Sequence, residues 1–212
     1  MNTFLIAIMI ANVLISFKGF NDLSFFRKYE FHMGSVRSGE QIRILSSGFL
    51  HADIGHLAFN MITLYFFAPV VIQLLGSLSF VIIYFGSLIF GSLLTIVFHK
   101  NDYNYRAIGA SGAVTGVLYS AILLQPNMML GLFFIVPIPA YLFGILYLLY
   151  SIYGMKTKND NIGHTAHFGG AAGGYLITLV TYPQLVIEHT FMVVLLTIPI
   201  IILFVMAKMG KI

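Results

Sequence analysis

The 212-residue chain has no cysteine and no tryptophan, and only 8% of it is charged. Without cysteine there is no disulfide, no thiolate metal ligand and no thiol nucleophile. Any covalent catalysis therefore rests on an oxygen or nitrogen nucleophile. The scarcity of charge excludes a water-soluble globule, because soluble domains carry about 25% charged residues. Seven carboxylates and eleven Lys or Arg cannot cover the surface of such a chain. What is present is 59% hydrophobic, with 20 Phe and 12 Tyr, and its mean hydropathy is +0.94. Its solvent is mostly lipid. The net charge of +4 is then a matter of membrane topology and gives no support for nucleic-acid binding. The start, MNTFLIAIMIANVLISF, lacks the basic leader and small-residue cleavage site of a signal peptide and reads as a retained first helix.

A spanning helix needs about 20 apolar residues. Cut at its charge and Pro or Gly clusters, the chain yields seven apolar segments, at 2–17, 55–75, 78–98, 111–125, 128–153, 165–182 and 189–207. The expected fold is an all-α membrane protein, a polytopic helical bundle. A long polar loop (18–54), a tight Gly76-Ser77 turn, a loop at 99–110 and the stretch GMKTKNDNIGHT connect the segments. All eleven Lys and Arg fall in the first, third and fifth loops and the tail, hence on one face. The positive-inside rule places that face in the cytoplasm.

Polar groups at membrane depth are functional-site candidates. Four clusters stand out: His51, His56 and Asn60 in HADIGHLAFN; Gly109, Ser111 and Gly112 in GASGAVTG; His164 and His167 in GHTAHFGGAAGG; and Pro137 with Pro139 in the fifth segment. At about 1.5 Å rise per residue, Ser111, His167 and Asn60 lie about 21, 23 and 24 Å from the turns at the far face. All three share one level, about 6 to 9 Å below the charged face of a roughly 30 Å core, with His56 one turn nearer the rim. The fourth segment is short, so the 99–110 loop must dip into protein, where its backbone is shielded from lipid. Ser111 then falls at a helix N-terminus, where N–H groups and the dipole favour a developing anion. Gly112 and Gly116, and Gly169, Gly170, Gly173 and Gly174, give the fourth and sixth helices GxxxG faces for close packing.

These parts suit acyl transfer: Ser111 as nucleophile, His167 as base and then acid, and the Ser111 N–H, His56 and Asn60 as oxyanion donors. No carboxylate lies at that depth, so a dyad is expected. Asp53, at the rim, is the nearest candidate orienter. A packing face of small residues is the plainer meaning of GASGAVTG taken alone. A reading from another class is a metal or proton transporter lined by His51, His56, His164 and His167. His32, His99 and His189 are expected to be solvated loop or interfacial residues.

HADIGHLAFN, GASGAVTG and AHFGGAAGG, in that order on alternate spans, resemble the motifs of the rhomboid intramembrane serine proteases over roughly residues 40–182. The resemblance implies that Ser111 and His167 form a catalytic dyad and that His56 and Asn60 are an oxyanion pair. His51 matches an upstream histidine often present, with Gly109 and Gly112 as supporting positions. It implies hydrolysis of a peptide bond in or near the transmembrane segment of a membrane-protein substrate, with no cofactor and no metal, in a bacterial inner membrane. It also implies a six-helix core over 1–187 followed by a seventh transmembrane helix in 188–212. The chain departs from the family pattern in three places. Ile42-Arg43 stands where Trp-Arg is common, Ile72 where many members have Glu, and Thr115 where an aromatic often stacks on the histidine. Family members usually open the site to the exterior, opposite to the charge count. The kinked fifth helix and the 154–165 loop are expected to form a movable gate and cap.

Overall fold

A computed structural model describes residues 2–132, 136–157 and 162–212. Helix α1 is Thr3–Asn21, capped by the Asn2 side chain, which accepts from the Phe4 and Leu5 N–H groups. The first loop then folds into short pieces: α2 (Leu23–Tyr29), β1 (Phe31–His32), α3 (Met33–Arg37), α4 (Arg43–Ser46) and a 3-10 turn over Ser47–Phe49. Two long helices follow, α5 (Ile54–Leu75) and α6 (Ser77–Phe98), joined at Gly76, whose φ of 87° ends one and starts the other. After β2 (Arg106–Ala107) come α7 (Ser111–Leu124), β3 (Met129–Leu132), β4 (Val136–Pro139), α8 (Ala140–Thr157), α9 (His164–Thr181), α10 (Leu185–Glu188) and α11 (Thr190–Lys208).

Helix is the form in which apolar segments satisfy their own backbone in lipid. Among the described residues, four helices are long and apolar enough to cross a membrane: α1, α5, α6 and α11; α7 is shorter. Outward-facing residues such as Phe59, Val180, Ile187 and Phe191 are mostly exposed, as a lipid-facing surface requires. Seven helices match the seven apolar segments to within a few residues, except at the start of the fifth.

There the sequence reading is corrected. Met129–Leu132 and Val136–Pro139 pair as an antiparallel ribbon in which Met129 faces Pro139 and Leu130 faces Ile138, and the helix begins only at Ala140. A proline lacks an N–H and pushes the residue before it to extended backbone. Two of them, at 137 and 139, therefore favour a strand over a kinked helix, and they sit before α8. The fifth loop's residues 158–161 lie outside the described ones.

Helix α7 is the centre of the bundle. Every residue from Gly112 to Leu123 is buried, between α5, α6, α8 and α9. Its contact with α9 is backbone on backbone. A Cβ at Gly170 would lie 2.0 Å from the Gly112 carbonyl oxygen, and one at Gly174 2.2 Å from that of Gly116. Only glycine permits that approach, as the GxxxG faces anticipate.

The polar first loop is a brace. The Arg43 side chain, 7% exposed, donates to the carbonyls of Arg27 and Glu30 and to the Glu40 carboxylate. Buried Glu30 in turn accepts from Arg27 and Arg106. With β1 paired to β2, this ties the first loop to the segment leading into α7.

Candidate active site

The segment entering α7 is held through two consecutive backbone N–H groups. Gly109 N–H donates to the Ser47 carbonyl at 2.9 Å, and Ala110 N–H donates to His51 Nε2 at 3.4 Å. The helical ladder begins with Val114 N–H on the Ala110 carbonyl. The N–H groups of Ser111, Gly112 and Ala113 thus precede the ladder, at the positive end of the helix dipole. The expectation that the 99–110 loop dips into protein holds at this end.

Gly109 has φ of 115°, and a Cβ there would lie 2.8 Å from His56 Cε1 and Nε2 and 3.6 Å from Ser111 Oγ. Glycine is required twice, for its dihedral and for the ring against it. That contact sets the imidazole edge of His56, on α5, beside the Ser111 hydroxyl. His56 is held by its own helix start: Asp53 caps α5 by accepting the His56 N–H at 2.8 Å, and Ala52 N–H donates to His56 Nδ1 at 3.5 Å. With Nδ1 accepting, a neutral His56 carries its proton on Nε2, the atom that faces Gly109. Asp53, a candidate orienter from sequence, is instead the cap that fixes the His56 turn. Asn60, one turn deeper and 2% exposed, donates through Nδ2 to the His56 carbonyl at 3.1 Å, which uses one of its two N–H groups.

His51 is wholly buried. Its Nε2 accepts from Ala110, and its Nδ1 lies 2.8 Å from Ser16 Oγ, which donates to the Phe49 carbonyl at 2.9 Å. The Ser16 proton is committed to a carbonyl, so His51 donates from Nδ1 and is neutral. Burial, reinforced by the neighbouring His56, lowers its pKa to about 3 against a weaker opposing pull from Asp53. The rings of His51 and His56 meet edge to face at 4.9 Å.

On the other side of α7, Ala166 and Gly170 of α9 straddle Gly112. His167 and Ser111, each adjacent to a contact residue, come to the same level at the crossing. Among the described residues no direct hydrogen bond joins the Ser111 hydroxyl to His167; they are linked by a longer route. Nδ1 of His167 lies 2.9 Å from the Tyr147 hydroxyl of α8, and that hydroxyl lies 3.5 Å from Thr115 Oγ1. Thr115 Oγ1 donates to the Ser111 carbonyl at 2.6 Å. The rings of Tyr147 and His167 are stacked, with 6.0 Å between centroids and 22° between planes. An aromatic thus does stack on the histidine, supplied by α8 instead of by position 115.

Sequence reasoning missed Tyr147 and Ser16. Tyr147 lies three residues after buried Gly144 and four before buried Ser151, so it shares their inward face. A tyrosine there needs a partner for its hydroxyl. His99, expected to be solvated, stacks on Tyr105 at 3.6 Å and bonds Thr165 of α9, and His32 caps α3. His164 is buried, edge to face with Tyr150 and with His167. The four histidines of the transporter reading form two ring pairs, and among the described residues no group of three His, Asp or Glu could hold a metal.

The family model of the rhomboid domain matches residues 38–184, more than half of the chain. The chain belongs to the rhomboid family. It is 30% identical over 177 residues to RHOMBOID-like protein 12, mitochondrial, of Arabidopsis thaliana, covering 76% of this chain and 53% of that protein. It is 34% identical over 145 residues to the putative rhomboid protease YdcA of Bacillus subtilis, covering 68% of each. Rhomboid protease GluP of the same bacterium is 32% identical over 140 residues, covering 66% of this chain and 26% of that protein. The chain thus spans about half of the plant relative and about a quarter of GluP. Relatives of this rhomboid chain are both mitochondrial and bacterial. With family membership and its apolar helices, it is an integral membrane protein.

Proposed function

We propose that this chain is an intramembrane serine endopeptidase that cuts membrane-protein substrates in or near their transmembrane segments, in a bacterial inner membrane. Its working part is a six-helix core over 1–187, to which α11 adds a seventh span. The observation that carries the reading is the glycine crossing of α7 and α9, which sets the serine at a helix start level with a histidine. Two Bacillus subtilis relatives named as rhomboid proteases, one of them putatively, add to it.

In the proposed reaction Ser111 Oγ attacks the scissile carbonyl carbon as His167 Nε2 takes the hydroxyl proton. The carbonyl oxygen becomes an oxyanion and receives the Ser111 N–H, His56 Nε2–H and Asn60 Nδ2–H. Collapse breaks the C–N bond, and His167 returns the proton to the leaving amine. Water then attacks the acyl-serine with His167 again as base, releasing the acid and restoring Ser111. Each step uses only groups of this chain and water, so no cofactor or metal enters.

The test is cleavage of a single-span substrate by the purified protein in detergent, with Ser111→Ala and His167→Ala alongside and a chelator added in parallel. Cleavage by the native chain alone, unaffected by chelator, is expected. Cleavage that survives Ser111→Ala, or that the chelator stops, overturns the reading.

A further inference from the structure

We infer that Tyr147 and Thr115 are positioning residues that fix which nitrogen of His167 carries the proton, doing for this dyad what a carboxylate does in a triad. The inference rests on the serine-protease reading above. It starts from the one group in the chain of contacts whose hydrogen-bonding role is fixed, the Ser111 carbonyl, which can only accept. Thr115 has a single hydroxyl proton and gives it to that carbonyl at 2.6 Å. Toward Tyr147, 3.5 Å away, Thr115 Oγ1 can therefore only accept, so the tyrosine proton points to Thr115. The Tyr147 oxygen is then an acceptor toward His167 Nδ1 at 2.9 Å. His167 holds its proton on Nδ1, and Nε2 carries the lone pair that a general base needs.

The alternative polarity, Tyr147 donating to Nδ1, would put the proton on Nε2 and disable the base. A dyad without a buried carboxylate has to prevent that state by other means, since the wrong tautomer is costly even when geometry is intact. Here the peptide that bears the nucleophile prevents it. The Ser111 carbonyl sets Thr115, Thr115 sets Tyr147, and Tyr147 sets the base that deprotonates Ser111. Ring stacking of Tyr147 on His167, continued by Phe143 at 5.9 Å, holds the imidazole plane while the hydroxyl selects the tautomer. Thr115, a departure from the family's aromatic, and Tyr147 on another helix become two halves of one device.

The decisive experiment is a double-mutant cycle on kcat and KM with the purified full chain. Tyr147→Phe keeps the ring and removes the acceptor; kcat is expected to fall about 10- to 100-fold with KM within about twofold. Thr115→Val takes away the site that holds the tyrosine proton, so the hydroxyl turns to donate to Nδ1. Its expected loss is larger, about 100-fold or more, and Thr115→Ser restores most of it. The double variant is expected to recover to the Tyr147→Phe rate, faster than Thr115→Val alone, because the misdirected donor is gone. A purely structural role gives losses that add and a shifted KM, and that result overturns the inference.

Nitrogen-15 spectra of histidine-labelled protein, with His167 assigned by its absence in His167→Ala, give a readout independent of turnover. The proton is expected on Nδ1 in the native chain and on Nε2 in Thr115→Val. An Nε2 proton in the native chain overturns the inference. Ser111→Ala separates the two levels. If it keeps native activity, the protease reading fails and this inference falls with it; if it is inactive while Tyr147→Phe turns over at the native rate, only the inference fails.

Discussion

Two histidines flank the start of α7, and they are wired alike to opposite ends. His51 donates through Ser16 to the Phe49 carbonyl, and His167 is linked through Tyr147 and Thr115 to the Ser111 carbonyl. They differ in burial and in where they stand along α7. His51 has no exposed surface, and its Nε2 is taken by the Ala110 N–H. It holds the backbone from which Ser111 projects and has no lone pair left for chemistry. His167 is partly exposed and stands at the glycine crossing, level with the nucleophile. Similar wiring thus goes with a structural pin in one histidine, whose Nε2 is spent on the backbone, and with a candidate base in the other, which stands at the crossing beside the nucleophile.

The contrast breaks most sharply at the nucleophile and the base. Ser111→Ala and His167→Ala are each expected to lower turnover at least about 10,000-fold with no loss of thermal stability, as kinetics and melting on the same preparations would show. Gly170→Val belongs next. Its side chain has no space against the Gly112 backbone, so the α7–α9 crossing opens at a cost of more than about 4 kcal/mol. Loss of a monodisperse, cooperatively melting protein is the expected observation; native melting would mean the crossing is looser than described.

His51 sharpens the comparison through pH. Its folded pKa, about 3, lies below the ordinary 6.5, so the fold favours the neutral ring. That contribution is fully present above about pH 6.5 and is lost as pH falls toward the folded value, by roughly 3 kcal/mol at about pH 4. His51→Gln should flatten this part of the stability profile, and a profile of unchanged slope would remove the buried neutral pin. Asn60→Ala is expected to leave measurable activity, about 10- to 100-fold down, since the Ser111 N–H and His56 remain as donors. Ser16→Ala, the smallest effect, should cost about 1 kcal/mol and leave kcat unchanged at neutral pH.

Much of this was legible in the sequence because lipid makes hydrophobicity report length directly. Where charge and turn residues punctuate the chain, as at Gly76-Ser77, helix limits follow to within a few residues. The glycine spacing of α7 and α9 also announces their close contact, and Gly109 its tight turn. Legibility failed where apolar composition does not distinguish helix from strand. MLGL and VPIP are as apolar as any span, and only the backbone restriction of the two prolines separates them from α8. It failed again where contacts join residues with no shared pattern. Tyr147 meets His167 from a helix twenty positions earlier, and the Arg43 brace satisfies main-chain carbonyls that carry no sequence signature. The stacking aromatic was sought at position 115 and stands on α8, because a stack requires a ring at a place and not at a position in a motif.

The most direct test of the contrast is the rate at which a serine-directed fluorophosphonate labels Ser111 at neutral pH, below the melting temperature of each variant, in native protein, His167→Ala and His51→Gln. Labelling that disappears in His167→Ala and continues at nearly the native rate in His51→Gln is the predicted result. Labelling that survives in His167→Ala, or that is lost equally in both, would contradict the assignment of one histidine to chemistry and the other to structure.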